Sequence, residues 1–526
     1  MLSKLKERKL RNRVIYIICF FCFLLIDHRV KSVSSREGGL FAWQNALGII
    51  VAVLIFTHYR WDELKKYKNV YIVWSGLSII GGFAYYVWRS SQTPFYLNAT
   101  IVFLVDIILF GYIIIHTYME MVIEKRFPAV NKAFLFMWMI MMILMVISKS
   151  KFQWPLGYLI IFGCFYLTDF SKEEFHEMIV GAGYGFVLAF FVIQGLAFVF
   201  RPFDNVNIRY MGMYTNSNQN ALFYLAVLVA ALIMSIYMRM RDKKAGYIFF
   251  MLGVVVVLDF LFLTLGRTAL GVAFILVLLF LKIMYKRIFS VRAIKSAILI
   301  IGGMIIMFPL CFASVRYLPP LFHHPIWFDG EWHESKVHSW DAWNSDKYID
   351  FDEYKNHAFG RFEEAVQSIW EHSPFKLDVE AADVESDASA NPLLTMEEAN
   401  DSVLVRKTIY QHYLENMKWF GRPYNEQGVL ISEIFFTYHA HNFYIQYGTD
   451  FGIPVMILLI ILVIWSCFIY VKRIYKDSNI EDIAMLMFIL VPALYGILEY
   501  SWGVGSIGTT MLFLAWGFLN GKISNI

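Results

Sequence analysis

Four arginines, two histidines and a run of side-chain amides carry the chemistry this chain can do. Arg201, Arg209, Arg267 and Arg406 each fall at the edge of an apolar run or in a polar stretch between runs. A guanidinium keeps its charge in use and matches phosphate oxygens with a two-pronged fork, so such a set suits a lipid diphosphate at a membrane surface. Arginines at an interface also pair with headgroups or nearby acids. Arg267 is the least explained that way, because it follows Leu263-Thr264-Leu265-Gly266 with no polar loop around it.

His441-Asn442 stands at the mouth of a long apolar run. Histidine accepts a proton from a hydroxyl near neutral pH, and Asn442 is placed to orient it or to bind a sugar. His439 is a rival two residues away, although helical spacing turns it to another face. Asn216, Asn218, Gln219 and Asn220 crowd the start of another apolar run. Such amides cap a helix or bind sugar hydroxyls. Asp106, Asp259 and Glu499 lie in or near apolar runs, where acids are expensive and usually paired. Asp106 and Asp259 read as members of interhelical ion pairs or hydrogen bonds. Glu499, near the end of its run, is able to approach the arginines.

Composition sets the class. Of 526 residues, 58% are hydrophobic and only 17% charged, against about 25% charged in a soluble domain. The apolar residues come in runs of about 20, which read as membrane-spanning helices. Hydrocarbon cannot satisfy a bare backbone, and the runs lack the alternation of a barrel strand. The expected fold is all-α: a polytopic helical membrane protein of about fourteen spans. Those spans are 14–27, 39–58, 70–88, 98–118, 133–148, 154–170, 178–200, 219–238, 246–264, 267–285, 296–315, 443–471, 484–499 and 503–520. Three regions follow: an N-terminal membrane region 1–315, a large polar loop 316–442 and a C-terminal membrane region 443–526. The first span follows a basic stretch but precedes no small-residue cleavage site, so it reads as uncleaved. A net charge of +4, carried mostly in short loops, does not point to nucleic acid. All five cysteines sit in apolar runs, which excludes a disulfide framework in the large loop.

Basic clusters at Lys4–Arg13, Lys65–Lys68, Lys125–Lys132, Arg239–Lys244, Lys282–Lys295 and Lys472–Lys476 orient the spans. By the positive-inside rule they are cytoplasmic, with both termini. The four arginines, His441 and the large loop then face outward. Within that loop, His323, His324, His333 and His338 sit among acids and Trp327, Trp332, Trp340 and Trp343. Their spacing matches no metal motif, so no metal is expected. Rings beside carboxylates suit a sugar-binding groove. Residues 378–401 are acidic and small and read as mobile. The stretch Asp401–Phe436 reads as helical until Gly421-Arg422-Pro423 stops it.

The run Arg209-Tyr-Met-Gly-Met-Tyr-Thr-Asn-Ser-Asn resembles a signature of the bacterial O-antigen polymerase and O-antigen ligase superfamily. Leu265-Gly266-Arg267-Thr268 resembles its second signature. Asp401-Ser402 through Arg406 to Tyr410, with Gly421, His439-Ala440-His441-Asn442-Phe443-Tyr444 and Gly452-Ile453, resembles its large-loop signature. Gly360-Arg361-Phe362 is a second match to the loop arginine. The chain has Asn216-Ser217-Asn218 where the family commonly has Asn-Pro-Asn. The resemblance runs from about Phe200 to the C-terminus; before that, only the stack of spans is shared.

What the resemblance implies is a multi-pass glycosyltransferase in the cytoplasmic (inner) membrane of a bacterium. It would use undecaprenyl-diphosphate-linked glycans as donor and acceptor on the outer face, with no nucleotide sugar, metal or other cofactor. His441, Arg267 and Arg209 would be catalytic. Arg406, Arg201, Asn216, Asn218, Asn442, His439, Arg361 and Glu499 would bind substrate. Partners would be the bilayer and the flippase and chain-length-regulator proteins of the same polysaccharide. Polymerisation of repeat units for a capsule or exopolysaccharide is the leading expectation. Ligase-type transfer to another acceptor is close behind. A glycan transporter or flippase, and a sensor with an outer binding loop, are readings of other classes.

Overall fold

The computed structural model describes residues 2–32, 39–91, 97–148, 150, 153–201, 203, 208–214, 216–285, 290–322, 341, 343, 348–371, 402–423, 429–432, 435–437, 439–477, 479–499 and 506–521. The acidic stretch 378–401, the loop histidines and Trp327, Trp332 and Trp340 lie outside the described residues.

The described chain is helical apart from one short hairpin. Its helices are α1 (Leu2–Ser32), α2 (Gly39–Phe56), α3 (Trp61–Lys66), α4 (Lys68–Ser90), α5 (Leu97–Val122), α6 (Lys132–Ile147), α7 (Gln153–Leu167), α8 (Lys172–Phe200), α9 (Ser217–Met240), α10 (Lys244–Leu263), α11 (Arg267–Tyr285) and α12 (Val291–Phe322). Then come α13 (Phe351–Glu371), α14 (Ser402–Glu415), the strands β1 (Val429–Ser432) and β2 (Phe435–Thr437), α15 (Phe443–Phe451), α16 (Ile453–Asp477), α17 (Ile480–Tyr495) and α18 (Ile507–Gly521). Among the described residues, eight helices are long and apolar enough to cross a membrane, and four shorter apolar helices accompany them. The chain is a multi-pass helical membrane protein.

Asparagine starts several of these helices. Asn131, Asn216, Asn442 and Asn479 each accept a backbone N–H of the first turn, of α6, α9, α15 and α17 respectively. A cap matters here because the first donors of a helix have no partner within it, and water becomes scarce at the membrane.

The centre of the molecule is α9. Of its most apolar window, 94% is buried, so it is wrapped by protein rather than lipid. Helices α8, α10, α11, α17 and α18 surround it. Its 24 residues span roughly 36 Å at about 1.5 Å per residue, enough to cross about 30 Å of hydrocarbon. Helix α1 lies along α8, where a Cβ at Gly181 would come within 2.4 Å of Tyr16 and one at Gly185 within 2.7 Å of the Ile17 carbonyl. That small-residue spacing lets two backbones approach closely.

Polar contacts gather at opposite ends of the helices. At one end, Arg13 Nε meets Glu177 at 2.5 Å, His58 Nδ1 meets Glu174 at 3.2 Å and His176 Nδ1 meets Glu481 at 2.6 Å. Arg473 pairs with Asp482 at 3.4 Å in the same layer. These contacts join the start of α1 to the start of α8, and α8 to α17. The other layer, at the start of α9 and the end of α17, holds the candidate site.

Two elements differ from the sequence expectation. The span expected at 443–471 is two helices, broken at Gly452, which adopts φ +108°. A Cβ there would lie 2.0 Å from the Trp419 carbonyl, and one at Gly421 (φ +69°) would lie 2.1 Å from the Asp450 carbonyl. Ile453 N–H donates to Lys418 O at 3.2 Å and Arg422 N–H to Thr449 O at 3.1 Å. The break is therefore made by backbone from a distant segment, which apolar periodicity does not register. The helix expected through Phe436 ends at Glu415, and Val429–Ser432 with Phe435–Thr437 forms an antiparallel ladder. Its sequence, rich in β-branched and aromatic residues, favours strand.

Gly452→Ala should lower stability by more than ~1 kcal/mol, since alanine fits neither the positive φ nor the space. Gly76→Ala and Gly81→Ala, where an added Cβ meets nothing within 4 Å, are the controls. Thermal inactivation of the detergent-solubilised protein reads the difference, and equal loss in all three would refute the steric account.

Candidate functional site

The site is assembled from helix ends. The loop before α9 carries Arg209, whose Nε donates to the Thr264 carbonyl at 3.0 Å, in the turn before α11. Its Nη2 donates to Asn218 Oδ1. The Asn218 carbonyl in turn accepts from the Tyr495 hydroxyl at 2.7 Å, and its amide reaches the Glu499 carboxylate. Asn218 thus accepts from the cation and donates to the anion, at the start of the central helix. The positive end of the α9 dipole points to the same place, which favours an anionic ligand.

From the large loop, Arg406 Nη2 meets Glu499 Oε1 at 3.1 Å. Tyr410, one turn along α14, donates to the His441 carbonyl at 3.3 Å. Asn442 Nδ2 donates to the Ile497 carbonyl at 2.7 Å, and Phe443 N–H donates to Gly496 O at 2.7 Å. These bonds stitch the histidine turn to the turn that bears Glu499. Since Asn442 Oδ1 also accepts from Ile445 N–H at 3.0 Å, both ends of that amide are engaged. That geometry gives Asn442 a positioning part. Asn216 is exposed, and its oxygen caps α9 at Asn218 N–H, 2.7 Å away.

Arg361 comes from α13, which packs onto the membrane helices through Tyr354, whose hydroxyl donates to Phe262 O at 2.9 Å. The Phe362 ring stacks on Phe262 at 5.7 Å. Burial pushes the Arg209 guanidinium down to about 10, with Arg361 the next cause; Arg209 remains charged at neutral pH. The two loop arginines that the sequence could not choose between therefore both act on Arg209, since Arg406 also depresses it.

Burial raises the Glu499 carboxyl, against the pull of Arg406 and Arg209. Burial first, then His439 and Arg406, lower His441 to about 3. Its imidazole is neutral and able to accept a proton, but it is a weak base until an anion arrives nearby. His439 does not turn away from it. His441 takes φ +48° just before the cap of α15, and the two rings meet edge to face at 4.2 Å. The helical spacing assumed for this pair fails because the helix starts only after His441.

The structure thus joins Arg209, Asn218, Arg361, Arg406, His439, His441, Asn442 and Glu499. Arg267 begins α11, half-buried, three residues after the Thr264 that Arg209 touches. Arg201 is the buried C-cap of α8, beside Tyr210. Asp259 accepts from Cys311 Sγ at 3.9 Å, linking α10 to α12 as an interhelical group. Sequence reasoning does not single out Tyr495 or Thr264. Tyr495 carries a readable signal, for it stands four residues before Glu499, whose N–H donates to the Tyr495 carbonyl at 3.1 Å in the turn that follows α17. Among the described residues no three His, Cys, Asp or Glu side chains are grouped to hold a metal. No protein-family profile matches the chain, and no curated protein does either.

Proposed function

We infer that this protein is a membrane glycosyltransferase that polymerises undecaprenyl-diphosphate-linked repeat units on the outer face of a bacterial cytoplasmic membrane. The observation that carries the reading is the convergence of Arg209, Arg361 and Arg406 with a neutral His441, at helix ends where a lipid headgroup would lie. The arginines hold the donor diphosphate. A sugar hydroxyl of the acceptor attacks the anomeric carbon, giving its proton to His441. The bond from that carbon to the phosphate oxygen breaks, and the diphosphate leaves with the electron pair. Fixed cations hold that growing charge more strongly in the transition state than before it. Attack opposite the leaving group inverts the anomeric centre.

The eight long apolar helices, the four shorter ones, α1 and α17 supply a helix for each of the fourteen expected spans, which supports that topology. The layer rich in Arg8, Arg13 and Arg473 then faces the cytoplasm. Cysteine substituted for the exposed Trp343 should react with a membrane-impermeant maleimide in intact cells, and cysteine at Lys66 only after permeabilisation. The reverse pattern would overturn the orientation.

Purified protein given a defined lipid-linked repeat, with EDTA present, should yield a ladder of lengthened lipid-linked chains. Transfer only when a second, different acceptor is supplied would favour the ligase reading, which uses the same geometry. A flippase is disfavoured because charges lie at helix ends while buried α9 fills the centre.

A further inference from the structure

The site contains an anion of its own. Glu499 pairs with Arg406 at 3.1 Å, its side chain 10% exposed, and its carboxylate also takes the Asn218 amide and faces Arg209. Arg209 itself binds neutral oxygens, of Thr264 and Asn218. Of these two guanidiniums, Arg406 on the loop helix is paired directly with the carboxylate, whereas Arg209, in the loop before α9, feels it without such a pair.

We propose that Glu499 decides which anions the site admits, excluding ligands with one negative charge and yielding Arg406 to ligands with two. The proposal rests on the diphosphate reading above. A membrane surface is crowded with anionic headgroups, most of them phosphodiesters of single charge. Each would be drawn to an open arginine pair, since guanidinium binds any phosphate oxygen. Glu499 carries the same single charge but is tethered beside Arg406. Its effective concentration there is about millimolar or higher, so a phosphodiester competes against an intramolecular partner of equal charge. A diphosphate brings a second charge. It can meet Arg209 with one phosphate and take Arg406 from Glu499 with the other.

The test uses the full purified chain and two soluble probes, with binding read by calorimetry. Geranyl diphosphate carries the doubled phosphate, and glycerophosphoglycerol is a singly charged phosphodiester. Wild type should bind the first and hardly the second. Glu499→Gln should raise affinity for the phosphodiester roughly tenfold, about 1.4 kcal/mol, and shrink the preference by that factor. Glu499→Asp, which keeps the charge, should keep the preference. The double variant Arg406→Gln with Glu499→Gln removes cation and anion together, leaves no lone buried charge, and should return the preference toward wild type. An unchanged preference in Glu499→Gln sinks the proposal, as does equal weakening of both probes in the Gln and Asp variants, the mark of a structural prop. Should the single variants not fold, a double variant that prefers the phosphodiester sinks it equally. Wild type that binds neither probe overturns the diphosphate reading and the proposal with it, whereas wild type that binds the diphosphate leaves that reading standing whatever the variants do.

Discussion

Arg209→Ala should lower turnover of a lipid-linked repeat unit by about 10²–10³-fold, roughly 2.7–4 kcal/mol, in line with removal of one fixed transition-state donor. The size follows from preorganisation. Two arms of the guanidinium are already spent, Nε on the Thr264 carbonyl and Nη2 on Asn218, so the remaining edge is aimed without any search by the side chain. Arg209→Lys should recover little, because an ammonium cannot hold both anchors and still face the diphosphate. Arg267→Ala should fall as well, since it opens α11 just beyond the same Thr264 turn. The measurement is single-turnover extension of a defined lipid-linked repeat, with correct insertion checked by size-exclusion profile and thermal stability. Full activity in a well-folded Arg209→Ala protein would remove the diphosphate clamp from the mechanism.

His441→Ala should slow the chemical step by about 10²–10⁴-fold, the usual worth of a positioned base, while donor binding stays near wild type. The pH behaviour separates this role from that of an ordinary surface histidine. The ring is held down to about 3 by burial, by His439 and by Arg406. The base form is the neutral one, so in the free enzyme it is fully present above that value and is lost only as pH falls through it. The kcat/KM profile should therefore show no acid limb near 6.5, the ordinary histidine value. The bound diphosphate is anionic and raises the ring again, so kcat should show its acid limb at higher pH than kcat/KM does. The same shift acts on stability: between about 3 and 6.5 the unfolded chain binds a proton that the folded site refuses, so this group destabilises the fold as pH drops through that window. A dead His439→Ala beside a normal His441→Ala would transfer the role to the neighbouring ring, and normal turnover in both would leave the arginines to carry the reaction.

The membrane helices were legible because each is long, apolar and punctuated, and hydrocarbon leaves the backbone no other way to satisfy itself. Basic clusters marked one layer of helix ends. The amides at 216–220 and 442 mark helix starts: Asn216 and Asn442 do the capping, while Asn218 is taken up by Arg209. The arginines were visible as types in the right order along the chain. What sequence did not disclose was contact. Arg406 and Glu499 meet across 93 residues and Tyr495 reaches Asn218 across 277, and no local pattern encodes either pairing. The break at Gly452 has a local mark, since Asp450, Gly452 and Pro454 punctuate the run, but the backbone that closes on it belongs to residues 418–422 and no local pattern discloses that contact. His439 and His441 share a site only because His441 takes a left-handed turn that the following cap and the Tyr410 bond hold in place. Length and apolarity are enough to make this chain a set of membrane-crossing helices, and residue order is enough to put guanidinium and imidazole groups at their ends. Which of those groups face one another was decided by tertiary packing, since the distance between charges, and with it every shift in their protonation, is a property of the folded assembly of helix ends and not of any one segment.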